Sequence, residues 1–136
     1  MRIRKWLLSI WLFGILFTVS ILQRFSPLYR EMIDFLFSPE WMHWIMHAVL
    51  FGILVILLGF AFRLKGKETL RVAALTLGVG ILHEGFQAWG QESYNLGSSL
   101  FDLGIDFLGG LTGWLLFLAL QRKAAAIKRR QGFERT

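Results

Sequence analysis

Four long apolar stretches, at 6–22, 41–62, 72–89 and 100–120, constrain this chain more than anything else in it. Each approaches or meets the length of about 17–25 apolar residues that a helix needs to cross the hydrocarbon core of a bilayer. The chain has 136 residues, 55% of them hydrophobic, and a mean hydropathy of +0.54, so little of it is left over for a second unit. Backbone inside hydrocarbon must satisfy its own hydrogen bonds, which helices do within one segment. The sequence therefore predicts a single all-α, polytopic membrane domain over 1–136, with four transmembrane helices.

The first stretch follows Arg2, Arg4 and Lys5, as the apolar region of a signal peptide would. Its apolar run is longer than the usual 7–15 residues and no Ala-x-Ala cleavage site follows, so a retained helix is expected. With no cysteine, the chain has no disulfide, no thiolate nucleophile and no thiolate metal ligand.

Charge sets the orientation. Arg2, Arg4, Lys5, Arg63, Lys65, Lys67, Arg71, Arg122, Lys123, Lys128, Arg129, Arg130 and Arg135 fall on one side of the four stretches, and only Arg24 and Arg30 on the other. Basic flanks stay in the cytoplasm, so both termini are expected there, with 23–40 and 90–99 facing outward. The net charge of +6 then reflects topology and contact with anionic lipid headgroups, and no nucleic-acid partner is expected.

Local signals mark the boundaries. Ser38-Pro39-Glu40 offers a cap, a proline suited to a first helical turn and an acid in that turn, placing a helix start near Pro39. Gly66 interrupts the pattern between the second and third stretches, and Gly90, Asn95, Gly97, Ser98 and Ser99 mark an outer loop. Over 26–37, Leu28, Met32, Phe35 and Leu36 share a helical face, while Arg30, Glu31 and Asp34 occupy another. This pattern predicts a short helix lying in the outer interface. From Gln121 onward the chain reads as a basic tail without a core of its own.

Ionisable residues inside the apolar stretches locate the candidate site. His43, His47, His83, Glu84, Asp102 and Asp106 are each penalised in hydrocarbon, charged groups by roughly 2.5–3.5 kcal/mol on insertion scales, so they need a shared reason to be there. In the expected topology His43, His47, Glu84, Gln87, Asp102 and Asp106 all fall in the outer half of the bilayer. The pairs His43/His47, Glu84/Gln87 and Asp102/Asp106 each occupy one helical face, whereas His83 is about a hundred degrees from Glu84. Gly109 and Gly113 continue the Asp102 face with residues small enough for close helix packing.

Structural roles compete with functional ones. Ser99-x-x-Asp102 fits a helix-capping pattern, so Asp102 can be read as a cap; Asp106 lies a turn too deep for that. Glu84 approaches a helix C-terminus, where the macrodipole disfavours an anion, and so needs a partner or a proton. That makes it a candidate general acid or base, or equally a protonated structural residue bonded to Gln87 or a histidine.

The stretch Glu84-x-x-Gln87, then Ser98-Ser99-x-x-Asp102-x-x-x-Asp106-x-x-Gly109-x-x-x-Gly113, resembles the conserved half of VanZ-like membrane proteins, a family named for a teicoplanin-resistance protein. His47, with Phe51 and Leu54, is similar to that family's preceding histidine helix, and the resemblance covers roughly 41–118. Two positions depart from it. An arginine expected between the Gln and the Asp is replaced here by Gln91, Glu92 and Ser93, and an Asp-Lys pair before the histidine by His43-Trp44. Arg30, on the interfacial segment, is a candidate substitute for that arginine as an anion-binding group.

The resemblance implies a bacterial inner-membrane protein of the cell envelope, connected in the founding member with glycopeptide resistance. Two classes of function stay open. One is an embedded enzyme acting on an envelope lipid or lipid-linked precursor, with His47, Glu84, Asp102 and Asp106 as candidate catalytic residues and His43, Gln87 and Arg30 as candidate binding residues. The other is a non-catalytic protein whose polar cluster binds a ligand or organises packing. A proton-coupled transporter is a third, disfavoured by the absence of a repeat. Histidines with carboxylates can hold zinc or a harder divalent ion, but no His-Glu-x-x-His motif is present, and cofactor and metal are left unassigned.

Overall fold

The computed structural model describes residues 2–18, 22, 24–36, 38–91 and 95–133. Among them are five α-helices and no strand: α1 (Arg2–Phe13), α2 (Pro27–Leu36), α3 (Glu40–Phe62), α4 (Thr69–Gln91) and α5 (Leu96–Phe133). A π-helical stretch, Gly14–Thr18, continues α1, and a short 3-10 turn, Gly66–Glu68, precedes α4.

Two helices, Glu40–Phe62 and Leu96–Gln131, are long and apolar enough to cross a membrane. The expected stretches at 6–22 and 72–89 do not stand out in this way among the described residues. The π-helical segment divides the first, and His83, Glu84 and Gln87 dilute the second. Apolar side chains nevertheless lie on the outside of the long helices: Ile45, Val49, Leu75, Ile81, Leu108 and Leu115 are all exposed. So much contiguous apolar surface suits contact with lipid better than contact with water.

Helices α3 and α5 form the most extensive contact in the molecule. They run parallel: Ala48 meets Gly109 and Gly52 meets Gly113, at a constant offset along the chain. A Cβ at Gly109 would run into the Ala48 backbone, and one at Gly113 into that of Gly52. The two glycines are thus small because backbone lies directly opposite them. Helices in lipid associate through such close packing and through interhelical hydrogen bonds, without a large hydrophobic transfer term.

The remaining helices brace this pair. Leu8 and Ile15 pack with Phe51, Leu54, Leu58 and Ala61 of α3, and the Trp11 indole donates to the Leu50 carbonyl (3.0 Å). Helix α4 returns antiparallel to α5, with Trp114 donating to the Thr69 hydroxyl (3.0 Å) and Thr76 packed against Gly110. At the end of α3, Arg63 adopts the left-handed conformation (φ 54°, ψ 43°) and closes the helix by hydrogen bonding back to Gly59.

The helix starts refine two expectations. Pro39 is the N-cap of α3 and Glu40 its first residue, one position later than the sequence pattern suggested and within the ordinary scatter of helix boundaries. Asn95, rather than Ser99, caps α5: its side-chain oxygen accepts from the backbone N–H groups of Gly97 (3.0 Å) and Ser98 (3.3 Å). Asp102 therefore lies beyond the first turn, and the capping explanation for it is overturned.

Basic residues gather at one end of the bundle. Arg4 lies 6.0 Å from the Phe60 ring and Lys5 5.8 Å from the Phe62 ring, joining the start of α1 to the end of α3. Gln121 donates to the Leu64 carbonyl (2.8 Å), bringing the basic part of α5 alongside. This final part stays helical to Phe133, and its side chains from Lys123 to Gln131 are exposed. At the other end, α2 buries none of its residues, with Leu28 and Phe35 both exposed.

Candidate functional site

Parallel packing of α3 and α5 sets two i,i+4 pairs opposite one another like rungs. His47 and Asp106 form the deeper rung, with Nδ1 2.8 Å from Oδ1 and side chains only 2% and 1% exposed. His43 and Asp102 form the outer rung at 3.4 Å, with 35% and 8% exposed. A carboxylate can only accept, so the His47 Nδ1 carries a proton and its Nε2 is left to face away from Asp106.

Helix α4 completes the cluster from the third side. The Gln87 amide nitrogen lies 2.9 Å from His83 Nε2 and 3.4 Å from His47 Nε2. His83 Nδ1 lies 3.0 Å from the Ile15 carbonyl, another pure acceptor, so this imidazole also carries its proton on Nδ1. Gln87 consequently donates one N–H towards each Nε2. The result is a continuous relay from Asp106 through His47, Gln87 and His83 to Ile15, tying together α5, α3, α4 and the π-helical stretch. Departures from regular α-helix such as this one recur at functional sites.

Glu84 reaches the same region from one residue along α4. It is 8% exposed, and its Oε1 has no hydrogen-bond partner. Ser99 lines the same cavity as the carboxylate. Asp106 Oδ2 is likewise buried without a partner. Two orphaned carboxylate oxygens in one buried cluster leave acceptor capacity that only a proton, water, cation or ligand donor can fill.

A polar cavity of about 190 Å³ opens above this cluster, lined by His43, Glu84, Gln87, Asn95, Ser98 and Asp102 among others. A larger concavity lies elsewhere: an apolar groove of about 600 Å³ along the outer side of the α3–α5 seam, from Trp41 to Ile56 and from Ile105 to Leu116. Size and chemistry thus disagree, and the convergent polar groups identify the smaller cavity as the candidate site. Trp44, which lines the groove, packs on Phe101 at 5.2 Å between ring centroids, and the two are chain neighbours of the cavity residues His43 and Asp102.

Six of the seven candidate residues come together here: His43, His47, Glu84, Gln87, Asp102 and Asp106. Arg30 lies exposed on α2 and is not among the described residues lining the cavity. Arg24 donates to the Trp89 carbonyl (2.7 Å) and lies 4.7 Å from the Trp89 ring. Gln91 is described only in its backbone, and Glu92 and Ser93 lie outside the described residues.

His83 is the site residue that its angular distance from Glu84 concealed. It is 2% exposed, and its ring lies 5.2 Å from that of His47. The signal that would have found it is its own i,i+4 spacing to Gln87, which outweighs its displacement from Glu84.

Comparison of the chain with protein-family models, with curated proteins and with solved structures gives no match.

Proposed function

We propose that this chain is a multi-pass, VanZ-like protein of the bacterial cytoplasmic membrane whose outer polar cavity takes the headgroup of an envelope lipid or lipid-linked precursor. In this reading the four apolar stretches span the bilayer, α2 lies in the outer interface and the basic end of the bundle faces the cytoplasm. One observation carries it: a buried His47–Asp106 pair and the orphaned Glu84 carboxylate converge beneath a polar cavity in an otherwise apolar bundle. Intramembrane ionisable groups are costly enough to call for a role.

The groove supports a substrate that carries a hydrocarbon tail. From Trp41 to Ile56 it follows α3 for about 22 Å at 1.5 Å per residue, and its outer end at Trp44 is one residue along the chain from His43, which lines the polar cavity. A headgroup in the cavity and a tail in the groove would be served by one element pair. Asp106 would hold the His47 tautomer, and Glu84, which lines the cavity, would meet the headgroup with His47 behind it. Connection with glycopeptide resistance belongs to the same proposal and rests on the resemblance of 41–118.

A second reading has its own support: the relay from Asp106 to Ile15 joins four segments and would also serve as structural glue. Glu84→Gln and His47→Ala separate the two. If the cavity is a working site, both variants abolish an expression-dependent shift in teicoplanin susceptibility of a bacterial host while folded protein still accumulates in the membrane, His47→Ala with a lowered Tm because it leaves Asp106 buried without its partner. Loss of folded protein in both supports glue. Membrane-impermeant maleimide tests the topology: Asn95→Cys labels from outside intact cells and Lys65→Cys only after lysis, and the reverse pattern defeats the orientation.

A further inference from the structure

The inner ends of His47, His83 and Glu84 have the donor arrangement of a transition-metal site. One donor atom from each of the three lies within 4.8 Å of the other two, and all three residues are buried. Both histidines use Nδ1 for a fixed acceptor, Asp106 for His47 and the Ile15 carbonyl for His83. Metal-binding histidines show this pattern: the second ring nitrogen donates to a carboxylate or a backbone carbonyl, which fixes the tautomer and turns Nε2 towards the metal. Here both Nε2 atoms face the same point, where the Gln87 amide group lies between them.

That amide places the positive ends of two N–H bonds where a cation would face the same two lone pairs. The third donor provides independent support. Glu84 Oε1 is buried and unpartnered, and its carboxylate also faces the polar cavity, which supplies a path from the outer surface. Burying such an oxygen without a partner costs free energy that a bound cation would recover.

We infer that His47 Nε2, His83 Nε2 and the Glu84 carboxylate bind one zinc-class divalent ion, with the fourth position open towards the cavity. Two imidazoles and a carboxylate form a three-ligand set of the kind that leaves zinc a free coordination position. Asp106 orients His47 from outside the coordination sphere. A second triad, His43, His47 and Asp102, meets the same distance limit but shares the His47 donor. It relies on the partly exposed His43 and has no orphaned oxygen among its members. The deeper set is therefore the site. It stands on local geometry, whatever substrate the cavity takes.

The test uses the full, tag-free chain in detergent micelles, stripped with a chelator, reloaded with Zn²⁺, desalted and assayed for bound zinc. The expected result is close to one zinc per chain, with a raised Tm. His83→Ala and Glu84→Gln lose stoichiometric zinc, Asp106→Asn binds about 10–100-fold more weakly, and His43→Ala keeps the ion. Co²⁺ in the wild-type protein gives the intense visible absorption of four-coordinate cobalt, a readout that depends on no variant's folding. A wild-type chain that retains no zinc, cobalt spectra of weak octahedral type, or zinc lost in His43→Ala but kept in His83→Ala would each overturn the assignment.

Discussion

One helical turn separates two histidine–aspartate pairs built from the same two helices, and they differ in almost everything else. His47 and Asp106 are nearly sealed and 2.8 Å apart, whereas His43 and Asp102 are 3.4 Å apart, with the imidazole 35% exposed. The inner pair continues into a relay through Gln87 and His83; the outer pair borders the cavity. The difference teaches how depth divides labour along one seam. Where water is excluded, a polar atom without a partner is costly, as Asp106 Oδ2 is here. Nearer the surface, water can supply what a side chain does not, and the pair is freer to exchange its partner for a ligand.

The largest effect should come from prying the seam apart. Gly109→Leu places a side chain against the Ala48 backbone, which rotamer changes cannot relieve, so α3 and α5 must separate and both pairs open together. A loss of at least the 1–3 kcal/mol typical of overpacking, about 3 kcal/mol or more here, is expected as a lower Tm in detergent. Unchanged stability would mean that the two backbones do not approach as closely as the glycines indicate.

Cutting the inner rung alone comes next. Asp106→Ala leaves the His47 N–H buried without its acceptor, which costs about 1–3 kcal/mol. Asp102→Ala removes the partner of a partly solvated histidine and should cost about 1 kcal/mol or less. Thermal unfolding of the two variants side by side measures the contrast, and equal losses would erase the distinction between the rungs.

How much of this arrangement the sequence made legible follows from the same contrast. Spacing within each helix was enough to put His43 with His47 and Asp102 with Asp106 on single faces, and Gly109 and Gly113 on the packing face. Which helix faces which is a tertiary fact. The pairing of both histidines with both aspartates depends on α3 and α5 running parallel at a fixed offset, and no local pattern encodes that offset. Asp102 was open to reading as a cap because Ser99-x-x-Asp102 has the right spacing, yet Asn95 captures the helix start one turn earlier. His83, named among the ionisable residues but set aside for its angle from Glu84, could not be placed in the site because its acceptor is the Ile15 carbonyl, a backbone group with no signature in side-chain chemistry. The π-helical stretch that presents this carbonyl was equally invisible in a uniformly apolar segment.

Chemical reactivity offers the finest probe of the comparison, because it can discriminate the rungs without changing stability at all. Diethyl pyrocarbonate acylates an imidazole through an unprotonated ring nitrogen that the reagent can reach. His43 offers its ring at the cavity mouth, whereas His47 and His83, each 2% exposed, have both nitrogens engaged in the relay. One fast modification per chain is therefore expected, mapped by mass spectrometry to His43, with the other two histidines reacting only as the bundle opens. In Gly109→Leu the same reagent should reach all three at similar rates, since separating the helices exposes the inner rung. Rapid modification of His47 in the wild-type chain would show that the inner pair is open to solvent, and the division of roles between the two rungs would fall with it.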